Sequence, residues 1–147
     1  MRGRQKAEAA KQRKTIAALK ECFARHQTVK FAYLFGSTAR GAAGPLSDLD
    51  LAVYLDGRLD FFKSRLRLRE ALAKVLQTER FDLVVLNKAP LVLKHEVVKN
   101  GIVLKEDRSR RVMFETEVLQ EYLDTAYLRS VHYRYVREQI EEGRYFG

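Results

Sequence analysis

The stretch Phe35-Gly36-Ser37-Thr38-Ala39-Arg40-Gly41, followed a few residues later by Ser47-Asp48-Leu49-Asp50-Leu51-Ala52-Val53, decides how the chain is read. Val29 to Phe35 is rich in β-branched and aromatic residues and is closed by Gly36, which predicts a buried strand. Ser37 to Arg40 then starts a short helical turn with Ser37 as its N-cap, broken by Gly41, Gly44 and Pro45. A second strand is expected over Leu49 to Leu55. Residues two apart on a strand share a face, so Asp48 and Asp50 project together while Leu49, Leu51 and Val53 enter the core.

Two carboxylates held side by side repel unless something positive lies between them. A divalent cation that takes hard oxygen ligands answers that need, and magnesium fits better than zinc. Beside this metal seat, a glycine permits close backbone approach. The first amides of a helical turn point outward and favour an anion. The Ser37 hydroxyl and, one turn later, the Arg40 guanidinium are placed to serve the same phosphate. A third acid, Asp82, interrupts the apolar run Phe81-Asp82-Leu83-Val84-Val85-Leu86. There it either serves a metal or a proton transfer, or stands at a strand edge near solvent, and the residues alone leave both readings open.

Further out, Ala7 to about His26 is an amphipathic helix with Ile16, Leu19, Cys22 and Phe23 on one face. Asp60 to about Thr78 is a second helix, expected to turn Phe62, Leu66, Ala73 and Leu76 inward and Arg65, Arg67, Arg69 and Lys74 mostly outward. Phe81 to Leu86 gives a third strand, Pro90 opens a helix running to about Lys99, and Ile102 to Lys105 gives a fourth strand. From about Ser109 to Glu142 the chain reads as one long helix or two stacked ones. The alternation predicts an α/β fold in which a small sheet is flanked by helices. It divides into a basic N-terminal helix over residues 1–27, a core over 28–107 and a helical extension over 108–147.

Composition bounds the functions available. The 147 residues suit one domain, and 46% hydrophobic with 32% charged residues is a globular composition. The formal charge of +9 is concentrated: residues 1–30 hold nine basic and two acidic side chains, against 19 and 17 in the remainder. Such an arm suits RNA or an acidic partner, and equally a solvated helix face. The lone Cys22 excludes an internal disulfide and a cysteine-based zinc site. With no long apolar run at the N-terminus or elsewhere, the expected compartment is the cytoplasm. Gly36 to Gly41 has the start of a P-loop, but Ala42-Ala43 replaces the Lys and Ser or Thr that such a loop needs. His95-Glu96 begins a zinc-protease motif, yet Lys99 stands where the second histidine belongs, leaving His95 as a helix-surface histidine. The aromatic residues Tyr122, Tyr127, Tyr133 and Tyr135, together with Arg129, His132 and Arg134, exceed what one small domain buries and are expected in part to meet a partner or a second copy.

Gly36-Ser37, ten intervening residues and Asp48-x-Asp50 resemble the Gly-Ser-x10-Asp-x-Asp signature of nucleotidyltransferases of the DNA polymerase β type. In this size class the chain is most similar to the minimal nucleotidyltransferases, and among them to adenylyltransferase antitoxins of the MntA type. The similarity runs from Phe31 to the C-terminus and is densest between Leu34 and Val53. The resemblance implies a polymerase β-type fold and transfer of AMP from ATP to a tyrosine of a cognate HEPN-domain ribonuclease toxin, which neutralises it. It implies further that Asp48 and Asp50 hold two Mg2+ ions, with Asp82 ligating one of them, and that Gly36 and Ser37 hold the ATP phosphates. Asp82 is then the expected base for the attacking phenol, whose ordinary pKa of about 10 demands activation. Two other functions compete: a module that masks the toxin without catalysis, and a nucleotidyltransferase acting on a small molecule. Intact Asp48, Asp50 and Asp82 argue against pure binding, and the helical stretch after residue 110 offers no acceptor domain for a small molecule.

Overall fold

The computed structural model describes residues 2–39 and 48–143. The elements are α1 (Arg2–Arg25), β1 (Val29–Phe35), the single turn α2 (Gly36–Ala39), β2 (Leu49–Leu55), α3 (Phe61–Leu76), β3 (Phe81–Val85), α4 (Leu91–Asn100), β4 (Ile102–Lys105), α5 (Arg108–Asp124) and α6 (Ala126–Glu141). The strands lie in the order β3-β2-β1-β4. β1 runs antiparallel to both β2 and β4, whereas β2 and β3 are parallel, so the sheet is mixed.

β1 is central and buried on both faces, which is why it reads as a continuous apolar run rather than an alternation. Its Ala32 and Leu34 join Leu51, Val53 and Leu55 under α1 and α3, where Leu19, Phe23, Leu68 and Leu72 close the layer. Phe31, Tyr33 and Phe35 face the opposite way, against Val97 of α4 and Phe114 and Val118 of α5. The outcome is three layers, helices on each side of one sheet.

Polar groups fix the layers in register. Lys105 Nζ donates to the carbonyls of Phe23 at 2.9 Å and His26 at 2.8 Å, satisfying the end of α1 from the neighbouring strand. Tyr33, buried in the sheet, donates its hydroxyl to Glu115 Oε1 at 2.7 Å, and Arg111 Nη1 donates to the same oxygen at 2.9 Å. Burial and that carboxylate push the Tyr33 hydroxyl well above the ordinary phenol range, so it stays a donor. The Asn87 amide donates to the Leu55 carbonyl and accepts from the Leu55 N–H, both at 2.9 Å, extending the edge of β2 beyond β3.

α3 is rotated from the expected orientation. Asp60 caps it by accepting from the N–H groups of Phe62 and Lys63. Leu68 and Leu72 are the residues buried, while Phe62 is 69% and Leu66 46% exposed. Arg65 and Arg69 turn toward the sheet instead of away from it. Arg65 Nε donates to the Leu83 carbonyl and Arg69 Nη1 to the Phe81 carbonyl, each at 2.9 Å. The reason lies in β3, an edge strand whose outer carbonyls need donors, and two long arginine side chains reach them and block the edge.

The C-terminal helical stretch is two helices, α5 and α6, parted at Thr125. Thr125 donates to the Glu121 carbonyl, and Arg129 donates to Thr125 Oγ1 and to the Tyr122 carbonyl. His95 is not a bare surface residue: its ring stacks on that of Tyr122 at 3.5 Å, and the Arg129 guanidinium lies 3.6 Å from the Tyr122 ring. No residue of α6 is buried, and Tyr127, Leu128, Val131, Tyr133 and Tyr135 are all exposed. No helix among the described residues is long and apolar enough to cross a membrane.

Candidate active site

The site lies where β1 ends and where β2 and β3 begin. The antiparallel pairing sets Phe35 opposite Asp50, so the residue that follows, Gly36, is carried against the Asp50 side chain. Gly36 has φ +76°, and a Cβ there would stand 2.2 Å from Asp50 Oδ2. The left-handed backbone favours glycine whatever the space, and a side chain there would also have to displace the carboxylate. The helical turn begins at Gly36 itself, one residue ahead of the expected cap, so Ser37 lies within it, half-buried. Thr38 is buried, and its carbonyl accepts from Gln12 Nε2 at 3.1 Å, which ties the turn to α1.

The parallel pairing of β2 with β3 sets Asp82 directly beside Asp50. Neighbours in register share a face of the sheet, and Asp48, two residues before Asp50, lies on it as well. The electrostatics agree with the geometry. Partial burial pushes the Asp50 carboxyl above its ordinary range, and the charges of Asp82 and Asp48 push it further. Asp48 and Asp82 are exposed at the rim, whereas Asp50 is half-buried between them.

One residue of this face was not expected from the sequence. Arg80 Nε donates to Asp48 Oδ1 at 3.2 Å, and Nη2 of the same guanidinium forms an ion pair with that oxygen, also at 3.2 Å. The signal for it was the same period of two, because Arg80 precedes Asp82 by two positions on the approach to β3. Of the six residues singled out from the sequence, Gly36, Ser37, Asp48, Asp50 and Asp82 are brought to one end of the sheet. Arg40 lies outside the described residues.

The donor set suits a hard divalent cation: three carboxylates from two adjacent strands, with mutual repulsion already visible at Asp50. Among the described residues no three such side chains are gathered to ligand distance, and Asp48 is turned to Arg80. The repulsion at Asp50 is the feature that fits a cation, which would neutralise charges that now oppose one another.

The family model described as polymerase beta, nucleotidyltransferase, matches residues 17–110, which include all six candidate positions. No curated protein matches the sequence significantly. Among solved structures the chain is similar to one in a toxin–antitoxin complex with AMP-PNP, with 28% identity and TM-score 0.68 over 86% of this chain and 98% of that one. It is similar to a chain in a complex of tri-AMPylated Shewanella oneidensis HEPN toxin with MNT antitoxin, with 25% identity and TM-score 0.67 over the same shares. A third similarity, at 27% identity and TM-score 0.68 over 86% of this chain and 98% of that one, is to an MntA–toxin complex carrying two Asp-to-Glu replacements two positions apart.

Proposed function

The chain belongs to the polymerase beta nucleotidyltransferase family, and from that premise we propose that it is an antitoxin that adenylylates a tyrosine of a cognate HEPN ribonuclease toxin. The observation that carries the reading is the convergence of Gly36 and Asp50 in van der Waals exclusion with Asp82 in register beside them. The relatives support the substrate and the acceptor, one being a complex with AMP-PNP and another holding an AMPylated HEPN toxin.

In this reading Gly36 and Ser37 seat the phosphates of ATP, the backbone of Gly36 being able to approach a ligand because no Cβ intervenes. Arg40 is assigned to the same phosphates. Asp48 and Asp50 would hold two Mg2+ ions and Asp82 would ligate one of them. Bound there, the metal supplies Lewis-acid stabilisation of charge on the reacting and leaving oxygens. The phenolic oxygen of the toxin tyrosine forms a bond to the α-phosphorus as the bond to the bridging oxygen breaks, and pyrophosphate leaves. Asp82, exposed on the rim, takes the phenolic proton. The exposed apolar side chains of α6 are available for the complex with the toxin, and the protein is assigned to the cytoplasm with it.

The test is to incubate the protein, and its Asp48→Ala, Asp50→Ala double variant, with Mg2+, ATP labelled on the α-phosphate, and the co-encoded HEPN protein. Label on the partner with the unaltered protein and none with the variant is the expected result. Binding of the partner by both proteins with labelling by neither would leave the masking module as the better reading.

A further inference from the structure

The first half of α1 has no task in the site just described. Residues 2–9 are exposed without exception, and burial of this helix starts only at Leu19, Cys22 and Phe23. A helix of 24 residues that packs by its last third extends its first turns into solvent, held near the site by the contact from Gln12 to Thr38.

The charges on this arm are ordered. At about 100° per residue, Arg2, Lys6, Arg13 and Lys20 fall within about 40° of one another, a line about 27 Å long. All four are exposed, and the line lies roughly a quarter turn from the buried face of Leu19 and Phe23, so packing on the sheet leaves it uncovered. Residues 2–14 hold six basic side chains and one acidic one, Glu8.

We propose that this line of cations is a seat for the phosphodiester backbone of a nucleic acid. Charge complementarity favours that occupant, and so does what the arm lacks. Between residues 2 and 15 the apolar side chains are alanines alone. A protein partner is held by large buried anchors, aromatic or aliphatic, and this segment offers none. A membrane-surface helix needs an apolar face to insert, and that is missing too. Binding to a phosphate backbone needs neither, because its free energy comes from counterion release by regularly placed Lys and Arg.

The experiment is fluorescence anisotropy of the full chain with a labelled 20-nucleotide single-stranded RNA, repeated with duplex DNA of equal length and with polyglutamate. Four phosphates neutralised on a single strand give a slope of log K against log salt of about −3. A variant with Arg2→Gln, Lys6→Gln, Arg13→Gln and Lys20→Gln should lose at least about tenfold in affinity at low salt, with the slope falling toward zero. Arg4→Gln, Lys11→Gln and Lys14→Gln, on the other flank of the same helix, should cost clearly less, with circular dichroism confirming that both variants fold. The tighter of the RNA and DNA arms identifies the source of the phosphates. Polyglutamate binding as tight as the nucleic acids would overturn the proposal in favour of an acidic protein. No binding at low salt, or equal loss in the two variants, would overturn it outright.

Discussion

Replacing Gly36 by alanine puts two separable costs on one position. The first is backbone: φ is +76°, and an L-residue held in left-handed geometry costs about 1–2 kcal/mol. The second is contact: the new Cβ would meet Asp50 Oδ2 at 2.2 Å and Cγ at 3.0 Å, so the carboxylate or the β1–β2 pairing must shift by about an ångström. Those atoms end a half-buried side chain that can turn aside, so the shift falls at the low end of overpacking costs, about 1 kcal/mol, which gives about 2–3 kcal/mol together with the backbone cost. Asp50→Ala removes most of the second cost and leaves the first, because only the Asp50 Cβ then remains, at 3.3 Å, a tight contact relieved by a shift of a few tenths of an ångström.

Urea unfolding of the four proteins of this cycle, at neutral pH without Mg2+, measures the coupling directly. Gly36→Ala should cost about 1–2 kcal/mol in the Asp50→Ala background and about 1 kcal/mol more in the unaltered one. Gly57, with nothing within 4 Å of its notional Cβ, is the control, and Gly57→Ala should stay within about 0.5 kcal/mol. Equal costs for Gly36→Ala in both backgrounds would refute the claim that the Asp50 carboxylate occupies the space of the missing side chain.

Asp50→Asn should stabilise the protein at pH 7. The native carboxyl is pushed upward by burial and by Asp82 and Asp48, so its charged form subtracts stability above the native pKa, and that cost disappears as the pH falls below about 4. Thermal unfolding from pH 3 to 8 should show the variant's advantage at neutral pH and its closure in acid, and a constant gap would contradict the assignment. Addition of 10 mM Mg2+ should raise the melting temperature of the unaltered protein by about 3–6 °C if the ion binds near millimolar, and leave Asp48→Asn, Asp50→Asn unmoved. A shift of equal size in both proteins would place the cation elsewhere. Gln77, which ends α3 at φ 55°, is a non-glycine residue in left-handed geometry, so Gln77→Gly should stabilise by up to about 1 kcal/mol in urea unfolding.

The strands and the acids were legible because they rest on local rules. Val29–Phe35 and Leu49–Leu55 stand at their expected bounds, since largely apolar runs closed by Gly36 and opened after Pro45 leave little choice. The rotation of α3 was not legible. Counting apolar spacing put Phe62 and Leu66 inward, but the open edge of β3 draws Arg65 and Arg69 to the carbonyls of Leu83 and Phe81, and the helix turns with them. Nor does any local pattern show that Gly36 meets Asp50, which follows from the antiparallel register of Phe35 with Asp50. The partner of Asp50 across the sheet, Asp82, was identifiable only as a charge where none is cheap. Arg80, two positions before it, carries the same period of two, but it precedes β3, and no local pattern shows that it meets Asp48.

The edge position of β3 also explains why three chemically equivalent carboxylates differ in setting. Asp50 is on an inner strand and beside Gly36, so it is partly desolvated and carries the repulsion of the other two. Asp82 is on the outer strand, in register with Asp50 but open to solvent, where an incoming hydroxyl can reach it. Asp48 precedes β2 and is held by Arg80, so a cation that engages it must compete with that guanidinium. An ion pair so exposed is worth at most about 1 kcal/mol. The contact with Arg80 is therefore strong enough to orient Asp48 and too weak to keep a divalent ion from it. In the parallel register the half-buried carboxylate and the exposed one are therefore nearest neighbours, the first placed to hold a cation and the second to accept a proton in the reaction proposed above.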